Sequence, residues 1–166
     1  MLEECDTLLD YSAVNYAGKL IEKHESYRQF VYDDYDGKPI VPGMQVYGHA
    51  TIGYGTSLDI DGIPSDIASI LMLRKIKEIR LNLEKFSWWT DLTSPRKAVL
   101  IDMAYNLGVD GLLKFKGMIA ALENSAWDQA ANEMLDSEWA KQTGSRATDD
   151  AAIMRSGEYS DGNPQA

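Results

Sequence analysis

Hydrophobic spacing changes character twice along this chain, and that change narrows the fold more than any other feature. From Ser12 to Glu25, Ala13, Tyr16, Ala17, Leu20, Ile21 and His24 recur every three or four residues and share one helical face. Lys19, Glu22 and Lys23 lie opposite, and Asp10 or Ser12 is suited to cap the start. From Tyr27 to about Leu58 the helical period is gone. Asp36-Gly37 and Pro42-Gly43 are turn signals, and Val46-Tyr47 and Thr51-Ile52 are β-rich, which predicts a small antiparallel sheet or hairpin with a loop around Lys38–His49. Gly53 and Gly55 alternate with Ile52 and Tyr54, a pattern that marks a bend or a close approach by backbone or ligand. Ser57–Pro64 reads as a connecting turn.

The helical period then returns and lasts. A long helix is expected over Ser65–Phe86, with Met72, Ile76, Ile79, Leu83 and Phe86 as a stripe facing a core. Ser94-Pro95 opens a helix over Arg96–Leu107, and Gly108 stops it. Leu112–Asn124 follows, then Ala126–Asp136 behind a Ser125/Asp128 capping box, a short turn at Glu138–Thr143, and Arg146–Ser156 ending on Gly157. Residues 160–166 have the composition of a tail.

With 45% apolar and 25% charged residues, a chain of 166 residues can build a core without disulfides or metal. Its single cysteine, Cys5, excludes an internal disulfide. The net charge of −10 disfavours nucleic acid and anionic membrane surfaces, and the basic cluster Arg74–Arg80 reads as a solvated helix face. No stretch has the apolar length of a membrane span. The acidic start lacks the basic and apolar regions of a signal peptide, so synthesis in the cytoplasm is expected, with other factors delivering the protein to any target outside. Trp88, Trp89, Trp127 and Trp139 invite a sugar-stacking reading, but helix faces need large apolar groups at these places, so core packing is expected.

The chain has no metal-ligand spacing, no glycine-rich phosphate loop and no Ser-His-Asp pattern; no cofactor or metal is indicated. Carboxylates remain as candidates for acid–base work. Glu25 closes the first helix, where the negative end of the helix dipole favours a protonated carboxyl. Asp34 follows nine residues on, in a tight turn beside glycine. Two carboxyls in unlike environments across a cleft are what glycoside hydrolysis needs. There is room to argue for Asp33 or Asp36 in place of Asp34, the favoured candidate, and an acidic chain holds other such pairs.

The runs Leu20-Ile21-Glu22-Lys23-His24-Glu25-Ser26-Tyr27-Arg28, Val31-Tyr32-Asp33-Asp34 and Thr51-Ile52-Gly53-Tyr54-Gly55 together resemble the pattern of phage-type lysozymes, glycoside hydrolase family 24. Ser94–Gly108 resembles the family's central helix. Ser137–Thr143, with Arg146 and Arg155-Ser156-Gly157, is similar to its closing segment, so the resemblance covers about Ala13 to Tyr159. It implies an α+β, mainly helical, two-lobed fold within one catalytic domain over residues 1–159. About 12–64 would form a β-containing lobe, 65–86 a linking helix and 87–159 a helical lobe.

The resemblance further implies a monomeric endo-muramidase that cuts peptidoglycan between N-acetylmuramic acid and N-acetylglucosamine, for host lysis at the wall. Glu25 becomes the general acid, Asp34 the second carboxylate, and Thr51 the residue holding the attacking water. Arg146 matches an arginine that pairs with the catalytic Glu. Tyr105 and Asn106 match cleft-lining positions, and Gly53 and Gly55 support the strand. The family's inverting chemistry implies carboxyls about 6.5–9.5 Å apart. This chain departs from the family in an apparent insertion, Pro39–Ala50, and in Thr56 where the family commonly has His. A silent wall-binding domain and a lytic transglycosylase are the competing readings. The latter needs only the acid.

Overall fold

The computed structural model describes residues 11–159. Cys5, the expected Asp10 cap and the tail at 160–166 lie outside the described residues. The chain divides after Ala68 into two compact units. The architecture is α+β and mainly helical, with one small antiparallel sheet.

The first unit opens with α1, Tyr11–His24. Its sheet runs in the order β1 (Arg28–Asp33), β2 (Ala50–Gly53), β3 (Thr56–Ser57). β1 is rich in the aromatic and β-branched residues that suit a pleated surface. It pairs with β2 through Tyr32↔Thr51 and Asp33↔Ala50, with an irregularity back towards Arg28↔Gly53. On its other side the chain folds back at Asp36-Gly37. Lys38 O accepts from Asp33 N–H (2.9 Å) and Val31 O accepts from Ile40 N–H (3.0 Å), with a bridge at Tyr32↔Pro39. Arg28 braces that turn, donating to Gly37 O at 2.7 Å while its guanidinium lies over the Tyr32 ring.

Gly53 and Gly55 have φ of +68° and +95° in the turn joining β2 to β3. Nothing lies within 4 Å of a Cβ built on either, so the turn demands glycine for its backbone angles. Thr56 sits opposite Ile52 in that hairpin.

Helix α2, Ser65–Leu83, begins in the first unit and continues into the second. It stops short of Phe86, whose N–H turns back to Leu83 O as the chain tightens into a 3₁₀ turn at Ser87–Trp89. Only the C-terminal part of the expected stripe is buried: Ile79 and Leu83 are inside, while Met72 is 44% exposed. Next come α3 (Ser94–Leu107), α4 (Val109–Leu112), α5 (Lys116–Glu123), α6 (Trp127–Leu135), α7 (Glu138–Thr143) and α8 (Ser145–Ser156).

Three local expectations are corrected. Thr93, not Ser94, is the N-cap of α3, and its hydroxyl donates to Gly157 O rather than serving the helix. The single helix expected over Leu112–Asn124 is broken by Phe115, whose ψ of 66° interrupts the helical path between α4 and α5. The Ser125/Asp128 capping box does not form. Ser125 takes φ +52° and Ala126 becomes the N-cap, with no side-chain bond. Ser137 does cap α7, accepting from Ala140 N–H at 3.1 Å.

Leu83, Leu100, Met103, Leu112, Met118, Leu122, Met134 and Met154 fill the core of this unit, with Trp88, Trp89 and Trp139. Trp127 is half-buried at its edge, beneath the Arg96 guanidinium at 4.1 Å. Arg96 is itself buried and donates to Met154 O (2.8 Å) and Arg155 O (2.9 Å), meeting carbonyls that the end of α8 leaves without helical partners. Gly157 ends the helix at φ +73°, and a Cβ there would fall 2.7 Å from Arg96 Cζ. Gly157→Ala therefore incurs both a backbone penalty and a clash. We expect a loss of about 1–3 kcal/mol in urea unfolding at unchanged m-value. An unchanged midpoint would contradict this account of the helix end.

Candidate active site

Three aspartates crowd the first turn after β1, and the structure treats each differently. Asp33 is fully buried. Its Oδ2 accepts from Tyr47 N–H (2.7 Å), and its Oδ1 from Gly48 N–H (2.9 Å) and Tyr35 N–H (3.0 Å). The Tyr47 N–H has the largest influence and, with the other two, holds this carboxyl below its ordinary range against the opposing pull of burial. Asp36 is taken by Lys38, as a contact ion pair and an acceptor for its N–H. Asp34 is exposed, and only its Oδ1 has a protein partner among the described residues, the His49 N–H at 2.7 Å.

His49 ties the candidate groups together. Its carbonyl accepts from Asp34 N–H (3.1 Å) and from the Thr51 hydroxyl (3.2 Å), so Asp34 and Thr51 hang on one peptide. Its ring Nδ1 lies 3.0 Å from Asp59 Oδ2, and Asp59 Oδ1 accepts from Ala50 N–H and the Ser57 hydroxyl. That hydrogen bond to Asp59 raises the His49 pKa and lowers that of Asp59. Thr51 is buried, at 4% exposure. Glu25 is exposed in the same unit, one residue beyond α1, with its N–H on Ile21 O.

Neither His49 nor Asp59 was legible as a site residue. They lie ten positions apart on opposite sides of β2, a spacing that matches no motif. Gly48 was also silent. A Cβ there would overlap Asp34 Oδ1 and come within 2.8 Å of Asp33 Oδ1 and Tyr35 N.

In the second unit, the family resemblance assigned Arg146 to the Glu25 carboxylate. The structure gives its guanidinium a two-point ion pair with Asp102, Nε to Oδ2 and Nη2 to Oδ1, both at 2.6 Å. The planar fork matches the carboxylate facing it from α3. Asp150, 8% exposed, hydrogen-bonds to Asp102, and its Oδ2 has no partner among the described residues. Burial, then the neighbouring Asp102 charge, push its pKa from 3.8 to about 7.

Tyr105 and Arg146 do come together, lining a cavity of about 530 Å³ with Met72, Ile76, Ala98, Ile101 and Asp102. Lys75 lies over the Tyr105 ring. Asn106 Oδ1 accepts from Trp139 Nε1–H at 3.0 Å, anchoring a core tryptophan. Among the described residues no group of three or more His, Cys, Asp or Glu could hold a metal ion, and no helix is long and apolar enough to cross a membrane.

Compared with known proteins, residues 22–155 match the family model for phage lysozyme. The chain belongs to the phage lysozyme family. It is 31% identical over 81 residues to "Probable T4-type lysozyme 1" of Dictyostelium discoideum, covering 49% of this chain and 48% of that protein. It is 30% identical over 69 residues to "Probable T4-type lysozyme 2" of the same organism, covering 42% and 41%. The "Pre-baseplate central spike protein Gp5" of Enterobacteria phage T4 is 27% identical over 157 residues, 84% of this chain but 27% of that protein. The chain thus spans half or less of the length of these relatives. Phage lysozyme membership accounts for the α+β architecture.

Two consequences follow from the geometry. Gly48→Ala should break the turn that holds Asp33 and Asp34. We expect a loss of about 1–3 kcal/mol, with faster amide exchange at Tyr35 and Tyr47; unchanged protection would refute the clamp. Asp150 retains a proton in the folded state that the unfolded chain has already released above its ordinary pKa. Its contribution to stability must therefore decline as pH rises from about 4 to about 7, then level off. Asp150→Asn should remove that decline, on the order of 2–4 kcal/mol, in chemical unfolding followed across this range. Parallel pH profiles for wild type and variant would rule it out.

Proposed function

We propose that this phage lysozyme family member is an endo-acting muramidase, hydrolysing the β-1,4 bond between N-acetylmuramic acid and N-acetylglucosamine in peptidoglycan. The observation that carries the reading is the separation of roles among the three aspartates. Asp33 is consumed by backbone N–H groups and Asp36 by Lys38, whereas Asp34 is exposed with one oxygen free of protein partners among the described residues. Asp34 is then the carboxylate able to meet a water molecule.

In this mechanism Glu25 gives its proton to the glycosidic oxygen as the bond to the anomeric carbon breaks. Asp34 takes a proton from the water that attacks that carbon from the opposite face, and the product is inverted. The Thr51 hydroxyl, which in this structure donates to the His49 carbonyl, keeps lone pairs able to accept from that water. The two Dictyostelium proteins, whose names call them probable T4-type lysozymes, support the same substrate class. We propose that this protein acts at the bacterial wall, in host lysis or in wall penetration by a tail or secretion module.

Digestion of purified peptidoglycan, with mass spectrometry of the products, tests the reading. Wild type should release reducing muramic ends. Glu25→Gln and Asp34→Asn should each lose about a hundredfold or more in rate with unchanged melting temperature. Asp33→Asn should instead lower the melting temperature. Anhydro-muramic ends would make the protein a transglycosylase. Binding without product from the wild type would make it a wall-binding domain.

A further inference from the structure

The Pro39–Ala50 segment, an apparent insertion, holds Asp34 and Thr51 through His49, and it also carries Tyr47 to a fixed place. The two oxygens of the buried Asp33 carboxylate divide between two tyrosines: Oδ1 accepts from Tyr35 N–H at 3.0 Å and Oδ2 from Tyr47 N–H at 2.7 Å. One group thereby sets both backbones. The rings end with centroids 6.2 Å apart and planes inclined at 46°, inside the range of favourable aromatic pairs. Even so, Tyr35 is 76% exposed and Tyr47 67%. The pair is held in place while most of its apolar surface stays in water.

Its position is specific. Tyr35 directly follows Asp34, and Tyr47 lies two residues before His49, whose peptide bonds Asp34 on both sides. Pyranose rings present a face of C–H groups with hydroxyls at the rim. Such a face stacks on an aromatic plane, while phenolic hydroxyls reach the rim. Asp34 keeps a free carboxylate oxygen among the described residues beside the pair, an acceptor for the hydroxyl or amide N–H of a sugar. Tyrosine also gives up little conformational freedom on contact, which suits a recognition surface.

We propose that Tyr35 and Tyr47 form a saccharide-stacking subsite that grips one sugar ring of the glycan strand beside Asp34. This rests on the reading of the substrate given under Proposed function. The inserted segment is then a specificity element, and Asp33 is the positioning residue that holds it.

The test uses Glu25→Gln as the parent, so that glycan is bound without turnover. Soluble N-acetylglucosamine–N-acetylmuramic acid oligosaccharides are titrated by calorimetry into the parent and into parents carrying Tyr35→Ala, Tyr47→Ala or the matching phenylalanines. Each alanine should weaken binding by about five- to tenfold, and each phenylalanine should keep it within about twofold. Melting temperatures should stay level, because both side chains are exposed. In the otherwise wild-type enzyme, KM should rise more than kcat falls. Alanine variants that bind like the parent would overturn the subsite, as would phenylalanine variants as weak as the alanines. If the parent binds no glycan and the wild type cleaves none, the substrate class itself fails, and the subsite with it. Cleavage by the wild type with no response to either tyrosine overturns the subsite alone.

Discussion

The buried Asp33 carboxylate is the constraint on which the candidate site depends. A charge taken out of water is tolerated only when its lone pairs are met, and here three backbone N–H groups meet them. Two of the three come from Tyr47 and Gly48, across the loop between β1 and β2. The interaction therefore closes a long excursion of chain onto β1 and gives a loop without regular strands a defined path. Gly48 is part of the same arrangement, since the approach of Asp33 and Asp34 leaves no room for a side chain.

From that closure the rest of the site follows. Once the loop is fastened, His49 arrives opposite Asp34, and its peptide engages Asp34 on both sides and Thr51 on one. Asp59 completes the frame by holding the His49 ring and the Ala50 N–H. Adjacent carboxylates thus have unlike environments: Asp33 is structural, Asp36 is paired to a cation, and Asp34 is presented to solvent. These unlike environments are arranged by backbone geometry and near neighbours rather than by distant charges.

The helical unit handles charge by another route. Arg96 is buried because the carbonyls ending α8 need donors, and it supplies them. Arg146 is held by Asp102, and Asp150 joins them as a carboxyl that burial keeps protonated well above its ordinary range. The resemblance to a family nominated Arg146 and paired it with Glu25, whereas within the helical unit its guanidinium is held by Asp102. The aspartate on α3 becomes its partner only when α3 and α8 pack, and nothing in the spacing of residues 102 and 146 encodes that.

By itself the sequence determined the class of the fold, most of its helices and the residues worth testing. Periodicity places a helix wherever an apolar stripe must face a core, and Gly108 and Gly157 end helices for reasons local to the backbone. The run through Glu25, with Asp34 and Thr51 beyond it, was legible as linear pattern because it resembles that of phage-type lysozymes. Tertiary structure decided what spacing does not carry. It settled which of three neighbouring aspartates is buried, that His49 and Asp59 frame the turn, and that Ser125 abandons its capping box for a left-handed turn. The physical reason is common to all of these. Local pattern reports which face of an element is apolar, whereas the fate of a polar group depends on which donors the folded chain brings within about 3 Å of it.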